Sequence, residues 1–121
     1  MSLQFLSFGY KHGIPLDADF VFDVRSIPNP YWESELRELN GRDEKVVAFL
    51  DSQPAVSTML KSLKDFLDEC IPPFEEDNRA YLTIAIGCTG GIHRSVYVVE
   101  HLAEQFRKKR SGVLVRHRDI A

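Results

Sequence analysis

Apolar residues recur along this chain with two different periods, and the switches between them predict its elements. Residues 3–8 (LQFLSF) and Phe20 to Val24 (FVFDV) are short apolar runs of strand length, separated by a loop punctuated by Gly9, Gly13 and Pro15. From Asp43 to Leu50, and again from Pro54 to Glu69, the spacing becomes helical. In the second segment Val56, Met59, Leu60, Leu63, Phe66 and Leu67 fall three and four residues apart, the stripe of an amphipathic helix laid on a sheet. Ser52 is its expected N-cap and Pro72-Pro73 its expected end. The prolines of SIPNPYW forbid regular structure, and a short helix is expected after them, around Trp32 to Glu38, with Asn40-Gly41 as the break. Residues 80–87 are apolar without alternation, which predicts a buried strand. A helix from Arg94 to about Lys109 follows, and VLVRH is expected to be a last strand. Strands alternating with helices predict the α/β class: a single domain over 1–121, with a mostly parallel four-stranded sheet flanked by helices.

The join between strand 80–87 and the next helix carries the chemistry. CTGGIHRS, Cys88 to Ser95, puts two glycines, a histidine and an arginine at a helix start. Backbone N–H groups of such a turn face outward and the helix dipole adds positive charge, so strand, glycine turn and helix together form an anion site. A phosphate on a small molecule is expected against Thr89, Gly90, Gly91 and His93, with Arg94 as a fork donor. Asp23 and Arg25 end the second strand, and ligands of parallel sheets collect at the strand C-terminal edge, where these residues and the Cys88 turn would meet. Lys11 and His12 add charge if their loop reaches the same edge. Tyr31 and Trp32 there would stack on a sugar or base, although hydrophobic anchoring of the proline loop is the favoured role for Trp32.

Three readings of the turn stay open. Cys88, Gly91, Arg94 and Ser95 reproduce the spacing of a cysteine-dependent phosphatase loop, in which Cys88 is the nucleophile, Arg94 holds the phosphoryl group and Asp23 is the only available acid. Gly87 stands where that family carries a histidine, and Arg25 beside Asp23 favours an ionised carboxylate. The second reading is binding without turnover, with Cys88 as a small residue that lets the turn approach its ligand. The third is a plain connection with a buried cysteine. No Gly-Lys-Ser/Thr follows a glycine loop, which excludes a Walker A nucleotide site in these residues.

Composition narrows the rest. A chain of 121 residues, 44% hydrophobic, supports one cored domain, and its net charge of −3 excludes polyanion binding by the overall field. Local positive charge exists at Lys108, Lys109, Arg110, Arg116 and Arg118, which would contact RNA phosphates or simply complement a helix C-terminus. The two cysteines form neither a disulfide framework nor zinc spacing, so no metal and no cofactor is expected. With no signal peptide and no apolar span near 20 residues, a cytoplasmic protein without membrane contact is expected.

KHGIPLDADFVFDVRSIPNPYW together with GCTGGIHRSVYVVEHLAEQF closely resembles the C-terminal domain of the RNase adapter protein RapZ family, from about Phe5 to Arg118. The resemblance implies a sensor of an aminosugar phosphate, glucosamine-6-phosphate, that binds small regulatory RNA, presents it to ribonuclease E and assembles as a homo-oligomer. It implies pocket and RNA-contact roles for Asp23, Arg25, Asn29, Cys88, Thr89, Gly90, His93 and Arg94. Full-length members carry an N-terminal Walker A domain, which these residues lack. Where familiar members have a basic residue and a histidine, this chain has Ile92 and Tyr31, and RHRDIA is shorter than their basic tail.

Overall fold

In the computed structural model, which describes residues 1–120, the chain forms a four-stranded sheet in the order β2-β3-β1-β4, with every neighbouring pair parallel. The strands are β1 (Ser2–Gly9), β2 (Phe20–Asp23), β3 (Tyr81–Cys88) and β4 (Val113–His117), and the helices are α1 (Glu44–Asp51), α2 (Pro54–Glu76) and α3 (Arg94–Arg107). The single α/β domain is the one the pattern predicts, with the sheet parallel throughout.

Topology decides which face each connection covers. The steps from β2 to β3 and from β3 to β4 run in the same direction across the sheet, so right-handed crossovers put their helices on one face. Phe20 and Phe22 meet Phe66 of α2, and Phe5 meets Phe106 of α3. Register places Phe5 beside Ile84 and Phe20 beside the same Ile84, so both helices share that face. The step from β1 to β2 runs the other way, and the same handedness sends residues 10–19 to the opposite face. There Tyr10 and Ala18 cover Leu6, Phe8 and Ala85. Adjacent strands β1 and β3 therefore send their chains to opposite layers, and the crevice opened between their C-terminal ends is the topological switch point of this sheet.

Three expectations are corrected. The second helix does not stop at Pro72-Pro73 but continues to Glu76. Proline removes a donor and crowds the carbonyl four residues earlier. Here those carbonyls belong to the exposed residues Asp68 and Glu69, which water can satisfy. Buried Ile71, the edge contact of Phe74 with Phe20, and a bidentate Arg110–Glu75 pair at 3.0 and 3.1 Å hold the last turns in place. Ser52 closes α1 instead of opening α2, because its N–H bonds the Ala48 carbonyl and its hydroxyl donates to that of Phe49. Gln53 takes the N-cap position of α2, ahead of Pro54. Finally, the helix expected at Trp32 to Glu38 is a single 3-10 turn, Pro30–Trp32, followed by turns. The Asn29 side chain caps it by accepting from the Tyr31 N–H at 3.1 Å.

Candidate functional site

The glycine turn lies at the switch point because β3 ends at Cys88 and α3 begins at Arg94. Two backbones pass each other there with no side chain between them. A Cβ on Gly91 would stand 2.6 Å from the Gly9 nitrogen, and Gly91 has φ of +74°, so glycine is required twice over. The Thr89 carbonyl accepts from the Lys11 N–H at 3.2 Å, and the Ile92 carbonyl from the Gly41 N–H at 2.8 Å, which pins the turn from both sides. Its N–H groups behave differently. Among the described residues, none of the five amides from Thr89 to His93 donates to a protein acceptor. Four of these residues, Thr89, Gly90, Ile92 and His93, line a cleft of about 500 Å³.

That cleft is lined by Lys11, Asn29, Tyr31, Trp32, Arg37 and the stretch from Cys88 to Arg94 except Gly91. Six of the nine expected ligand residues, Asn29, Cys88, Thr89, Gly90, His93 and Arg94, come together in it. Asp23, Arg25 and Gly91 stand outside its lining. A second hollow of about 320 Å³, between α2 and α3, is walled by helix side chains such as Ser57, Lys64 and His101 and offers no turn amides.

Arg94 is 5% exposed and spends part of its guanidinium on the protein itself. Its Nη1 donates to the carbonyls of Arg25 at 2.6 Å and Ile27 at 3.2 Å, which anchors the proline loop to the helix start. Nε and Nη2 remain for the cleft, since no buried side-chain nitrogen or oxygen among the described residues lacks a partner. Burial lowers its pKa, while Cys88 and Asp23 act in the opposite direction; a guanidinium nonetheless keeps its charge. His93 donates from Nε2 to the Leu36 carbonyl at 3.1 Å. A carbonyl partner requires the proton on that nitrogen, so Nδ1 is left as the second hydrogen-bonding atom of the ring. The Asn29 side-chain oxygen is taken by its capping bond, which leaves its NH₂ group free.

Asp23 is held by Arg25 through Nε at 3.0 Å, Nη2 at 2.7 Å and the Arg25 N–H at 2.9 Å. The Arg25 hydrogen bonds lower its pKa, so it is ionised at neutral pH and has no proton to give. Arg25 in turn lies 4.0 Å over the Tyr10 ring. Cys88 is buried, with its Sγ donating to Ser95 Oγ at 3.2 Å and accepting from the Ser95 N–H.

Two cleft residues escaped the sequence reading as site members. Ile92 entered it only as a family difference, and Arg37 lies in a segment read as a short helix with no site role. Arg37 donates to the Tyr31 carbonyl and lies 4.7 Å over the Tyr31 ring, contacts between residues that no helical or strand periodicity pairs.

The cations expected on one basic strip are divided by the fold. Lys108, Lys109 and Arg110 follow the C-terminal end of α3, about 21 Å of helix from the glycine turn. Arg116 and Arg118 lie at the other end of the sheet, near the end of β1. Arg110 is engaged by Glu75 and Arg118 by Asp119, while Lys108, Lys109 and Arg116 are exposed. Among the described residues no cluster of metal-binding side chains occurs, and no helix is long and apolar enough to cross a membrane.

Comparison with known proteins gives this geometry a family. A nucleotide-binding protein of Ralstonia nicotianae is 56% identical over 121 residues, covering all of this chain and 40% of that protein. One from Thioalkalivibrio sulfidiphilus is 56% identical over 122 residues, again covering the whole chain and 43% of the relative. A nucleotide-binding protein of Burkholderia mallei is 59% identical over 117 residues, or 97% of this chain and 39% of its own length. The chain thus spans about two fifths of the relatives it matches. The family described as RapZ C-terminal domain matches residues 1–121, and the chain, with its glycine turn at the sheet's switch point, belongs to that family.

Proposed function

We propose that this domain is a non-catalytic regulatory sensor, part of an RNA adapter, whose cleft binds an aminosugar phosphate of the glucosamine-6-phosphate class. The observation that carries the reading is the set of unpaired amides at Thr89, Gly90, Ile92 and His93, residues that line a cleft also lined by Arg94. An oxyanion accepts several such donors at once, and the helix dipole adds to the attraction. Beyond the phosphate, the Asn29 amide and His93 Nδ1 are polar partners for hydroxyl or amine groups. Tyr31 and Trp32, edge to face at 5.6 Å, supply an apolar wall for one face of a sugar ring. Asp23 and Arg25 support this ligand from outside the lining through their hold on the proline loop. Presentation of small regulatory RNA to ribonuclease E, assembly as a homo-oligomer and a cytoplasmic location complete the proposal, supported by family membership. RNA would meet the exposed Lys108, Lys109 and Arg116, with Arg110 and Arg118 contributing only if released from their carboxylate partners.

Calorimetric titration with glucosamine-6-phosphate tests the sensor. Arg94→Ala should weaken binding by about 1.5–3 kcal/mol, roughly tenfold to a hundredfold. Unchanged affinity in that variant overturns the assignment. Reversal of Lys108 and Lys109 to Glu should lower RNA retention at low salt and leave sugar-phosphate affinity intact, because those residues lie at the far end of α3.

The second reading, a cysteine-dependent phosphatase, draws on one observation, the Cys88 sulfur hydrogen-bonded to Ser95 at the cleft wall. Asp23, its only acid, is ionised by Arg25. Turnover of an aryl phosphate that disappears in Cys88→Ser would establish the enzyme and remove the sensor.

A further inference from the structure

We infer that Asp119, paired with Arg118, is the positioning residue of the glycine turn: its carboxylate grips the end of β1 at Gly9, and Gly9 in turn sets the Gly90-Gly91 peptide. The inference deepens the sensor reading and rests on it only for its ligand-binding arm.

The ladder between β1 and β4 runs from Leu3 beside Val113 to Ser7 beside His117, and the Arg118 N–H adds a last bond to the Ser7 carbonyl at 3.0 Å. In a parallel pair every second residue of β1 turns its N–H and C=O toward β4, so the next to do so is Gly9. The Asp119 side chain replaces the missing strand there. Its Oδ2 accepts from the Gly9 N–H at 2.7 Å, and Arg118 Nη2 donates both to the Gly9 carbonyl at 3.3 Å and to Asp119 Oδ2 at 2.9 Å. The guanidinium lies 5.5 Å over the Phe8 ring. Upstream, His117 bridges Ser7 Oγ and Glu100 of α3, both at 2.7 Å, so the segment that delivers Asp119 is itself fixed.

On its other side Gly9 has no cushion. A Cβ placed on it would meet the Gly90 carbonyl oxygen at 2.6 Å and the Gly91 nitrogen at 2.7 Å, and register pairs Gly9 with Cys88. Backbone touches backbone, and a displacement of Gly9 passes directly into the peptide between Gly90, which lines the cleft, and Gly91. Gly9 also leads into Tyr10 and Lys11, and Lys11 both donates to the Thr89 carbonyl and lines the cleft. One carboxylate outside the cleft thereby aligns the turn amides and the cleft lysine together. Alignment of that kind is what converts several weak donors into one oxyanion site.

The test reads the 121-residue chain by NMR without ligand, then by titration with inorganic phosphate and with glucosamine-6-phosphate. In Asp119→Ala the Gly9 amide should exchange about tenfold faster, the Gly90 and Gly91 resonances should move, and affinity should fall about tenfold, the effect of one charged hydrogen bond. Asp119→Asn keeps an accepting carbonyl and should restore all three. Unmoved Gly90 and Gly91 resonances in an Asp119→Ala protein whose Ile84 and Ile86 amides stay protected overturn the inference, as does an Asn variant no better than Ala. Should Asp119→Ala fail to fold, Asp119→Ser, which also removes the carboxylate from the Gly9 N–H, gives the same readout, and silence at Gly90 and Gly91 is again decisive against the link. A wild-type chain that binds neither ligand ends the sensor reading alone, because the unliganded resonances still decide the mechanical link.

Discussion

Gly91 is the residue at which the site's construction is most exposed to a single change. Alanine there meets a positive φ and a backbone nitrogen 2.6 Å away, and neither can relax without parting β1 from the turn. Gly91→Ala should therefore cost about 1–3 kcal/mol of stability, read as a lower urea midpoint. Gly13→Ala is the control, since Gly13 has φ of +94° but nothing within 4 Å, so it isolates backbone strain from collision. At this scale the sequence was legible in kind but not in partnership. The glycine pair before His93 and Arg94 marked the strand-to-helix turn, which the structure places between Cys88 and Arg94. That Arg94 would also anchor the carbonyls of Arg25 and Ile27, or that His93 would reach Leu36, depends on contacts 57 to 69 residues apart in the chain. Asp119 carried no local signal, because it falls just beyond the strand read as VLVRH and nothing in the sequence sets it beside Gly9.

Among the elements, α2 shows why boundaries are harder to read than periods. The apolar stripe of Val56, Met59, Leu60, Leu63, Phe66 and Leu67 identified the helix; Val56, Leu60, Leu63 and Leu67 are buried, Met59 is partly buried, and Phe66 is exposed although its ring meets Phe20 and Phe22. Pro72-Pro73 nevertheless failed as a stop signal, because Ile71, Phe74 and the Glu75–Arg110 pair hold the following turns from outside the helix. The helix therefore runs on against a local preference. Pro73→Ala restores the missing N–H opposite the Glu69 carbonyl and should raise stability by about 1–3 kcal/mol, measured by urea denaturation. Loss of stability instead would show that the proline is fitted to its site. The strands were read within a residue or two, as expected when period and burial agree.

For the whole molecule, acid is the condition that separates its fastenings from its core. Asp23, Glu75 and Asp119 all have pKa values lowered from 3.8, 4.5 and 3.8 respectively; the Arg25 and Arg110 hydrogen bonds lead the lowering at Asp23 and Glu75, while at Asp119 the bonds from Arg118 and Gly9 outweigh a desolvation that alone would raise it. Each group binds its proton more tightly in the unfolded chain than in the folded one. Their contribution is therefore complete above those ordinary values and drains away as pH falls through the lowered ones. Urea midpoints should stay level, as far as these groups are concerned, from pH 7 to 5 and drop below about 4.5, with Asp119→Asn flattening part of the fall. The chain also has a single tryptophan, Trp32, 75% exposed and part of the cleft wall. Its emission is consequently a label-free gauge of occupancy: a molecule seated beside the indole displaces water from it and shifts the fluorescence, whereas cargo attached near Lys108 leaves the signal silent. One optical measurement on unmodified protein can thus tell which end of the sheet has been visited.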